Sequence, residues 1–232
     1  MTGQRGFTLI EMAIVLVIMT ILIGGLAVPL SAQIQARRIA ETNKTLEEAR
    51  EAIIGYAMSH KSTDDNRPYL PCPDSDGDGI ENREASGACT VNVSWLPWVT
   101  LGTAAQDAWG NRLLYASQPE LTDATGFSST PAPVGGYEVC SSQACATPDV
   151  AANVPVVVLS HGANGWGARN INGNTLSAPT GANELENLDA DTRYVSRTPA
   201  KPGDASGEFD DLATWLSFNA IVSRVCPSGG CP

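Results

Sequence analysis

Histidines and basic residues are scarce in this chain, and both shortages narrow the range of functions. Only 2 of its 232 residues are histidines, which leaves little material for a histidine-rich metal centre or a catalytic histidine relay. Lysine and arginine number 14 against 25 acidic residues, for a formal net charge of −11. Because phosphate backbones are bound by Lys and Arg gathered on one face, this balance disfavours nucleic acid as a partner.

No arrangement of residues indicates an enzyme. Ser160 and His161 are neighbours in the sequence, and a histidine does not easily reach the hydroxyl of the residue before it. The G-x-S-x-G nucleophile motif is also missing. The glycines at 162, 165 and 167 fit neither a P-loop nor a dinucleotide-binding pattern. We therefore expect a protein without catalytic residues.

Charge is almost missing from one long segment near the start. In residues 7–30 the only charged side chain is Glu11. A helix of that length would extend roughly 36 Å, and the hydrocarbon core of a bilayer is about 30 Å thick. The segment is longer than the core of a secretory signal peptide, and no Ala-x-Ala cleavage site follows it. The sequence thus predicts a membrane-spanning helix over residues 7–30.

Glu11 is the unusual residue of this segment. A carboxylate inside hydrocarbon costs a few kcal/mol, so it is a functional residue by default. The apolar run offers it no cation. Its partner must therefore come from another chain or from a newly formed N-terminus.

Residues 6–12, which read GFTLIEM, resemble the processing site of type IV prepilins and of the pseudopilins of type II secretion systems. The resemblance covers about the first 30 residues. It implies that a membrane-embedded prepilin peptidase cuts between Gly6 and Phe7 and then N-methylates Phe7. It also implies that Glu11 pairs with the N-terminal amine of a neighbouring subunit during assembly. Residues 1–6 would then be a leader peptide.

Helical periodicity continues after the apolar run, with an apolar series from Ile34 to Ala57. We expect one helix from about Phe7 to about Ser59, in which residues 31–62 form the soluble continuation. Gly24, Gly25 and Pro29 interrupt the pattern, and a proline inside a helix removes a hydrogen bond and clashes with the preceding turn. A kink is therefore predicted near Pro29.

In residues 63–232, short apolar runs alternate with turn residues such as Pro, Gly, Asp, Asn and Ser. This pattern indicates a head domain of short strands between turns. Candidate strands are residues 113–116, 137–140 and 154–160, and residues 209–225 have the spacing of a closing helix. The tryptophans at 95, 98 and 109 could form an aromatic binding surface, but we expect them in the core. No strand alternates with a helix, which disfavours a parallel doubly wound sheet. We predict an α+β, pilin-like fold: a small antiparallel sheet packed on the second half of the long helix.

Six cysteines follow the apolar segment as three local pairs. Their even number, beyond a membrane segment, indicates disulfides in an oxidising compartment rather than a zinc site, whose paired ligands are usually closer. Fifteen pairings exist, and we favour the nearest-neighbour set: Cys72–Cys89, Cys140–Cys145 and Cys226–Cys231.

One acidic loop has the pattern of a calcium site. Asp74, Asp76 and Asp78 alternate before Gly79, and alternate carboxylates in a tight turn direct their oxygens to one point. Position 85 is alanine, so the loop is not an EF-hand, and Glu81 or Glu84 would take the place of its glutamate. We expect Ca²⁺ here, against the alternative of a solvated acidic loop.

Two further stretches resemble pseudopilin segments. Residues 106–116 resemble the Asp-x-Trp-Gly-Asn turn of pseudopilins and many minor pilins. Residues 158–168 are similar to the glycine-rich loop that helps form a calcium site in the major pseudopilin, although His161 and Asn164 depart from its commoner residues. A weaker acidic set would complete a second site with this loop: Glu184, Asn187, Asp189 and Asp191.

These observations together predict a structural subunit of a type IV pilus-like filament, and its size favours a minor one. Its expected partners are the prepilin peptidase, other pilin or pseudopilin subunits and an inner-membrane assembly platform. It would be a single-pass inner-membrane protein with a periplasmic head, and later part of an extracytoplasmic filament. Two alternatives stay open: a pseudopilin of a type II secretion system, and a membrane-anchored, calcium-dependent binding protein or adhesin that does not polymerise.

Overall fold

The protein was described with a computed structural model that covers residues 6–205, 207–226 and 230–231, without the side chains of residues 24–29. Its chain contacts divide it into two compact units, Met1–Ala40 and Glu41–Pro232. The kink expected near Pro29 falls on residues whose side chains lie outside this description, and it stays a prediction.

The dominant element is helix α1, Leu9–Ser59. It begins two residues later than the sequence predicted, because Thr8 serves as its N-cap, and it ends where predicted. In the second unit, α1 buries a stripe of apolar side chains that recur every three or four residues, the spacing of one helix face. The stripe consists of Leu46, Ala49, Ile53, Ile54 and Ala57.

A four-stranded antiparallel sheet lies at the centre of the second unit, with strand order β1-β2-β5-β7. Its strands are β1 Val93–Trp95, β2 Leu114–Ser117, β5 Val156–Ser160 and β7 Leu212–Leu216. A second sheet has the order β4-β3-β6, with β3 Tyr137–Cys140, β4 Ala151–Val154 and β6 Arg193–Val195. The antiparallel α+β prediction is confirmed for the first sheet. In the second, β3 and β6 run parallel, which the sequence did not indicate.

Strand β5 separates two hydrophobic cores, because successive side chains of a strand point to opposite faces. Val156 and Val158 join the cluster that contains the α1 stripe. Val157 and Leu159 join a cluster with Tyr137 and other residues of the second sheet. All five residues of β5 are buried. The central sheet is thus covered by helix on one face and by sheet on the other.

Two predicted elements are wrong in part. The expected strand over residues 154–160 is divided at Pro155, which has no N–H for a ladder, so that β4 and β5 belong to different sheets. The expected helix over residues 209–225 is helical only in α5, Phe218–Val225. Its first half is β7, because the register pairs it with all of β5 and ladder pairing outweighs helical spacing.

Three short helices complete the second unit, and they connect strands rather than form its core. They are α2 Trp98–Leu101, α3 Pro119–Thr122 and α4 Ala182–Glu186. The first two follow β1 and β2, and α4 precedes β6. Ser217 caps α5 by accepting a hydrogen bond from the Ala220 N–H at 3.3 Å.

Candidate functional site

The start of α1 is built as a capping box. The Thr8 N–H and hydroxyl both donate to Oε2 of Glu11 at 2.8 Å, and the Glu11 N–H donates to the Thr8 hydroxyl at 3.3 Å. This reciprocal pattern satisfies backbone donors that a helix start otherwise leaves open. Glu11 therefore has a partner within its own chain, which the sequence argument did not foresee. The signal was present as T-x-x-E over residues 8–11.

The predicted cleavage residues lie next to this box. Gly6 and Phe7 precede the helix in exposed chain without regular secondary structure, and the Phe7 side chain is 83% exposed. The described apolar side chains of residues 9–23 are also exposed on every side of α1. Such an apolar surface marks a contact with membrane or protein. Within the described part of the chain, no helix combines the length and the apolarity that crossing a membrane requires.

The acidic loop brings three of its five predicted ligands together. One carboxylate oxygen from each of Asp74, Asp76 and Asp78 lies within 4.8 Å of the others. Asp74 is buried, and its two oxygens accept hydrogen bonds from the N–H groups of Gly77 and Gly79. Burial is the main cause that raises the pKa of Asp74. Asp76 and Asp78 are exposed and accept from backbone N–H groups two residues further on.

The two predicted glutamates lie outside this group. Glu81 accepts hydrogen bonds from the Tyr56 hydroxyl, the Cys72 N–H and the Arg83 guanidinium. Its carboxylate therefore joins the loop to α1. Glu84 accepts from the Ser86 hydroxyl at 3.3 Å. Of the five predicted ligands, only the three aspartates therefore have carboxylate oxygens that converge on one point.

A buried arginine supplies positive charge to the same loop. Nη1 of Arg112 donates to the Gly77 carbonyl and lies 4.0 Å from Oδ2 of Asp74. Its guanidinium carbon is 4.6 Å from the ring centre of Trp98, and that of Arg169 is 4.4 Å from the ring centre of Trp95. Both tryptophans are only partly buried and stack on cations, so the core position predicted for them is wrong.

The second predicted acidic set does not assemble as one group. Asp189 and Asp191, both exposed, lie with the half-buried Glu186 in a separate cluster. Glu184 instead lies with two residues that the sequence argument did not select, Asp210 and Asp211, again with one oxygen from each within 4.8 Å. The antiparallel register explains this, because Ser160 pairs with Leu212 and so places the loop after β5 beside the residues before β7.

This second group, which we call the buried acid cluster (Glu184, Asp210 and Asp211), is held by two asparagines. Asn164 donates its side-chain N–H to Glu184 and its backbone N–H to Asp210, at 3.0 and 2.9 Å. The Asn187 amide donates to Asp211 at 2.7 Å and is itself fixed by Val195. Asn187 is thus an orienting residue of the cluster.

The electrostatics of the buried acid cluster are unfavourable as they stand. Burial, with the neighbouring charges of Asp211 and Glu184, raises the pKa of Asp210 to about 7. Burial is also the first cause that raises the pKa of Glu184, which is 2% exposed. In the described residues, none of the three carboxylates forms an ion pair with Lys or Arg. The nearest candidate partner is His161, whose Nδ1 lies 3.8 Å from Oδ1 of Asp211.

The Asp-x-Trp-Gly-Asn turn has a structural role. Asp107 is buried and accepts hydrogen bonds from the N–H groups of Trp109 and Asn111 and from the Ser160 hydroxyl. Thr42 on α1 accepts from the Ala108 N–H at 3.2 Å. The motif therefore joins a turn to α1 and to the end of β5. Trp109 is only partly buried and belongs to neither core, contrary to the expectation of an anchor.

All six cysteines are paired in the nearest-neighbour pattern that the sequence favoured. The disulfides are Cys72–Cys89, Cys140–Cys145 and Cys226–Cys231. The first encloses the acidic loop, and the third lies directly after α5.

Comparison with known proteins gives information on the N-terminus. No curated protein and no solved structure matches this chain. A family model described as the prokaryotic N-terminal methylation motif matches residues 1–27, a range that contains Gly6, Phe7, the capping box and most of the apolar run. The chain therefore carries the prepilin-type signal of type IV pilins and pseudopilins.

Proposed function

We propose that this protein is a minor structural subunit of a type IV pilus-like filament. The observation that carries the proposal is the methylation motif over residues 1–27. In this account the prepilin peptidase removes residues 1–6, and Phe7 becomes the methylated N-terminus. The inner membrane holds the subunit through residues 7–30 until the assembly platform transfers it to the filament. Catalysis is no part of this function.

The surface of α1 supports assembly through this helix. Its described apolar side chains from residue 9 to residue 23 are exposed around the whole circumference of the helix. A helix that is apolar all round is stable only in lipid or among other apolar helices. In the proposed function the helix meets both environments, first the membrane and then the core of the filament.

The capping box adds a second role to Glu11. We propose that its carboxylate first caps α1 and then pairs with the N-terminal amine of a neighbouring subunit. Three variants separate the two roles. Glu11→Gln keeps a capping acceptor but removes the charge, Thr8→Ala weakens the cap but keeps the charge, and Glu11→Ala removes both.

The test is incorporation of each variant into filaments in cells, with membrane insertion as the control. Glu11→Gln and Glu11→Ala should both insert normally and fail to incorporate, whereas Thr8→Ala should incorporate. Normal incorporation of Glu11→Gln would refute a role for the charge. A failure of Thr8→Ala together with success of Glu11→Gln would assign the whole effect to the cap.

A pseudopilin of a type II secretion system is the second candidate within the same class. Its support is the Asp-x-Trp-Gly-Asn turn, which the structure shows tied to β5 through Asp107 and Ser160. Deletion of the gene distinguishes the two. A pilus subunit should be needed for surface filaments and leave secretion intact, and a pseudopilin should show the reverse. A non-polymerising adhesin would keep residues 1–6.

We also propose that the loop of Asp74, Asp76 and Asp78 binds Ca²⁺, inside the segment that Cys72–Cys89 closes. The convergent oxygens support this proposal, and the adjacent charge of Arg112 lowers the affinity to be expected. Extracellular sites often have dissociation constants of about 10⁻⁴–10⁻³ M, so calorimetry should be done at millimolar Ca²⁺. Equal heats for the wild type and for Asp74→Asn/Asp76→Asn/Asp78→Asn would refute it.

A further inference from the structure

A cavity opens on the second unit beside β1 and β2 of the central sheet. Its volume is about 210 Å³. Cavities that hold drug-sized ligands measure about 300–1,000 Å³, so this one suits a ligand of a few heavy atoms. The described residues that line it include Arg112, Arg169 and His161, but no aspartate or glutamate. In a chain of net charge −11, this lining makes the cavity a positive site on an acidic protein.

The backbone places the two arginines side by side. The Arg112 N–H donates to the Arg169 carbonyl at 2.8 Å. A Cβ on Gly77 would lie 2.6 Å from Nη1 of Arg112 and 3.5 Å from Nη1 of Arg169, so both guanidinium groups approach one point. The Gly173 carbonyl accepts from Nε of Arg169 at 3.1 Å, and the same guanidinium stacks on Trp95. These contacts fix the orientation of the guanidinium groups without neutralising them.

The positive charge of this pair is only partly balanced. Within the described part of the chain, Arg169 forms no ion pair with a carboxylate. Nη1 of Arg112 lies 4.0 Å from Oδ2 of Asp74, whose two oxygens already accept from the N–H groups of Gly77 and Gly79. The Arg112 side chain is 8% exposed, and its Nε is buried without a hydrogen-bond partner. Because a buried charge is costly unless it is paired, an anion in the cavity would lower this cost.

We propose that the cavity binds the carboxylate group of a small organic acid. Nε is the one nitrogen of Arg169 that donates a hydrogen bond to the described residues, so both Nη groups are available as donors. The planar fork of a guanidinium matches the two oxygens of a carboxylate. Val93, Leu114 and Leu188 also line the cavity, and these apolar side chains favour an acid with a short hydrocarbon chain over inorganic phosphate.

The carboxylate can come from two sources with the same chemistry. One is a free organic acid, and the other is the C-terminal carboxylate of a peptide chain. Thr175 and Ala190 line the cavity and are exposed, so its mouth is open to solvent and admits either ligand. Because the guanidinium groups are already held in place by the protein, little ordering of side chains opposes binding.

The experiment uses the full-length chain in detergent and measures binding by saturation-transfer NMR of the ligand. Butyrate represents the free acid, the dipeptide acetyl-Ala-Val represents a chain terminus, and butyramide is the neutral analogue of butyrate. Butyrate should bind with a dissociation constant on the order of 1 mM, because so few heavy atoms provide little binding free energy. Butyramide should bind about tenfold more weakly or less, since it lacks the charge. Tighter binding of acetyl-Ala-Val than of butyrate would support a chain terminus as the source, and the reverse order a free acid.

A pair of arginine variants makes the result specific. Arg169→Gln keeps side-chain N–H donors but removes the charge and the fork, and it should weaken butyrate binding about tenfold or more. Arg193→Gln is the matched control, because it removes one charge from another half-buried arginine, on β6, whose partner is Glu138. This control should bind butyrate as the wild type does.

Two results would overturn the proposal. One is equal affinity of the wild type and Arg169→Gln for butyrate, and the other is equal affinity of the wild type for butyrate and butyramide. The second comparison needs no variant, so it decides the question even if Arg169→Gln does not fold.

Discussion

Removal of the Asp107 carboxylate should be among the most damaging single changes in the second unit. Asp107 is 4% exposed and accepts three hydrogen bonds, from the N–H groups of Trp109 and Asn111 at 2.9 Å and from the Ser160 hydroxyl at 2.6 Å. Asp107→Ala leaves these donors without an acceptor. Each buried unsatisfied group costs about 1–3 kcal/mol, and relaxation keeps the sum below full additivity, so we expect a loss of roughly 3–5 kcal/mol.

The isosteric variant Asp107→Asn should behave very differently. Its amide oxygen can still accept from Trp109 and Asn111, and its NH₂ group can donate to Ser160, because a hydroxyl is both donor and acceptor. We expect a change within about 1 kcal/mol. At about 2–4 °C per kcal/mol, the alanine variant should melt roughly 10 °C below the asparagine variant.

The pH dependence of stability gives a further test of the role of Asp107, because the direction of the change can be predicted. Burial raises the pKa of Asp107 above its unfolded value. The folded state therefore binds the Asp107 proton more tightly than the unfolded state does. The stabilisation that results is fully present below the unfolded pKa and is lost as the pH rises through the folded pKa. Asp107→Asn has no such loss, so its stability relative to the wild type should increase with pH across that window. Chemical denaturation at several pH values measures it. Equal melting of the alanine and asparagine variants would refute the hydrogen-bond argument.

Three further predictions concern the stability of the second unit. The double variant Cys72→Ser/Cys89→Ser opens a link across 17 residues and should cost about 3 kcal/mol in urea denaturation. Ile53→Ala, at a fully buried position of α1, should cost about 2–5 kcal/mol, and a loss below 1 kcal/mol would contradict the core described here. Arg224→Ala breaks a half-exposed ion pair with Glu51 and should cost at most about 1 kcal/mol by thermal melting.

The sequence predicted the structural features that depend on residues close together in the chain. The helix end at Ser59 followed from periodicity, the strand Tyr137–Cys140 from a short run between turn residues, and the disulfides from proximity along the chain. The capping box was equally local, since Thr8 and Glu11 are three residues apart. This role is hard to recognise because Glu11 is also the only charged side chain in residues 7–30, a feature that points to a charge in hydrocarbon rather than to a cap.

The features that the sequence did not predict depend on pairing between residues far apart in the chain, and the local spacing of residues does not reveal such pairing. Residues 212–216 have helical periodicity and still form β7, because β5 offers a complete ladder to pair with. The same pairing brings Asp210 and Asp211 to Glu184 across more than twenty residues of sequence. Local reasoning grouped Glu184 with Asp189 and Asp191 instead, since these are its sequence neighbours.

The central claim is that this chain is a processed, pilin-like subunit, and the mass of its mature N-terminus tests it most directly. The protein should be extracted from the membranes of cells that contain prepilin peptidase, digested, and analysed by mass spectrometry. The account predicts an N-terminal peptide that begins at Phe7 and carries one methyl group on its amine, with no peptide from residues 1–6. A Gly6→Leu variant should keep the leader. A wild-type chain that retains residues 1–6 would contradict the account.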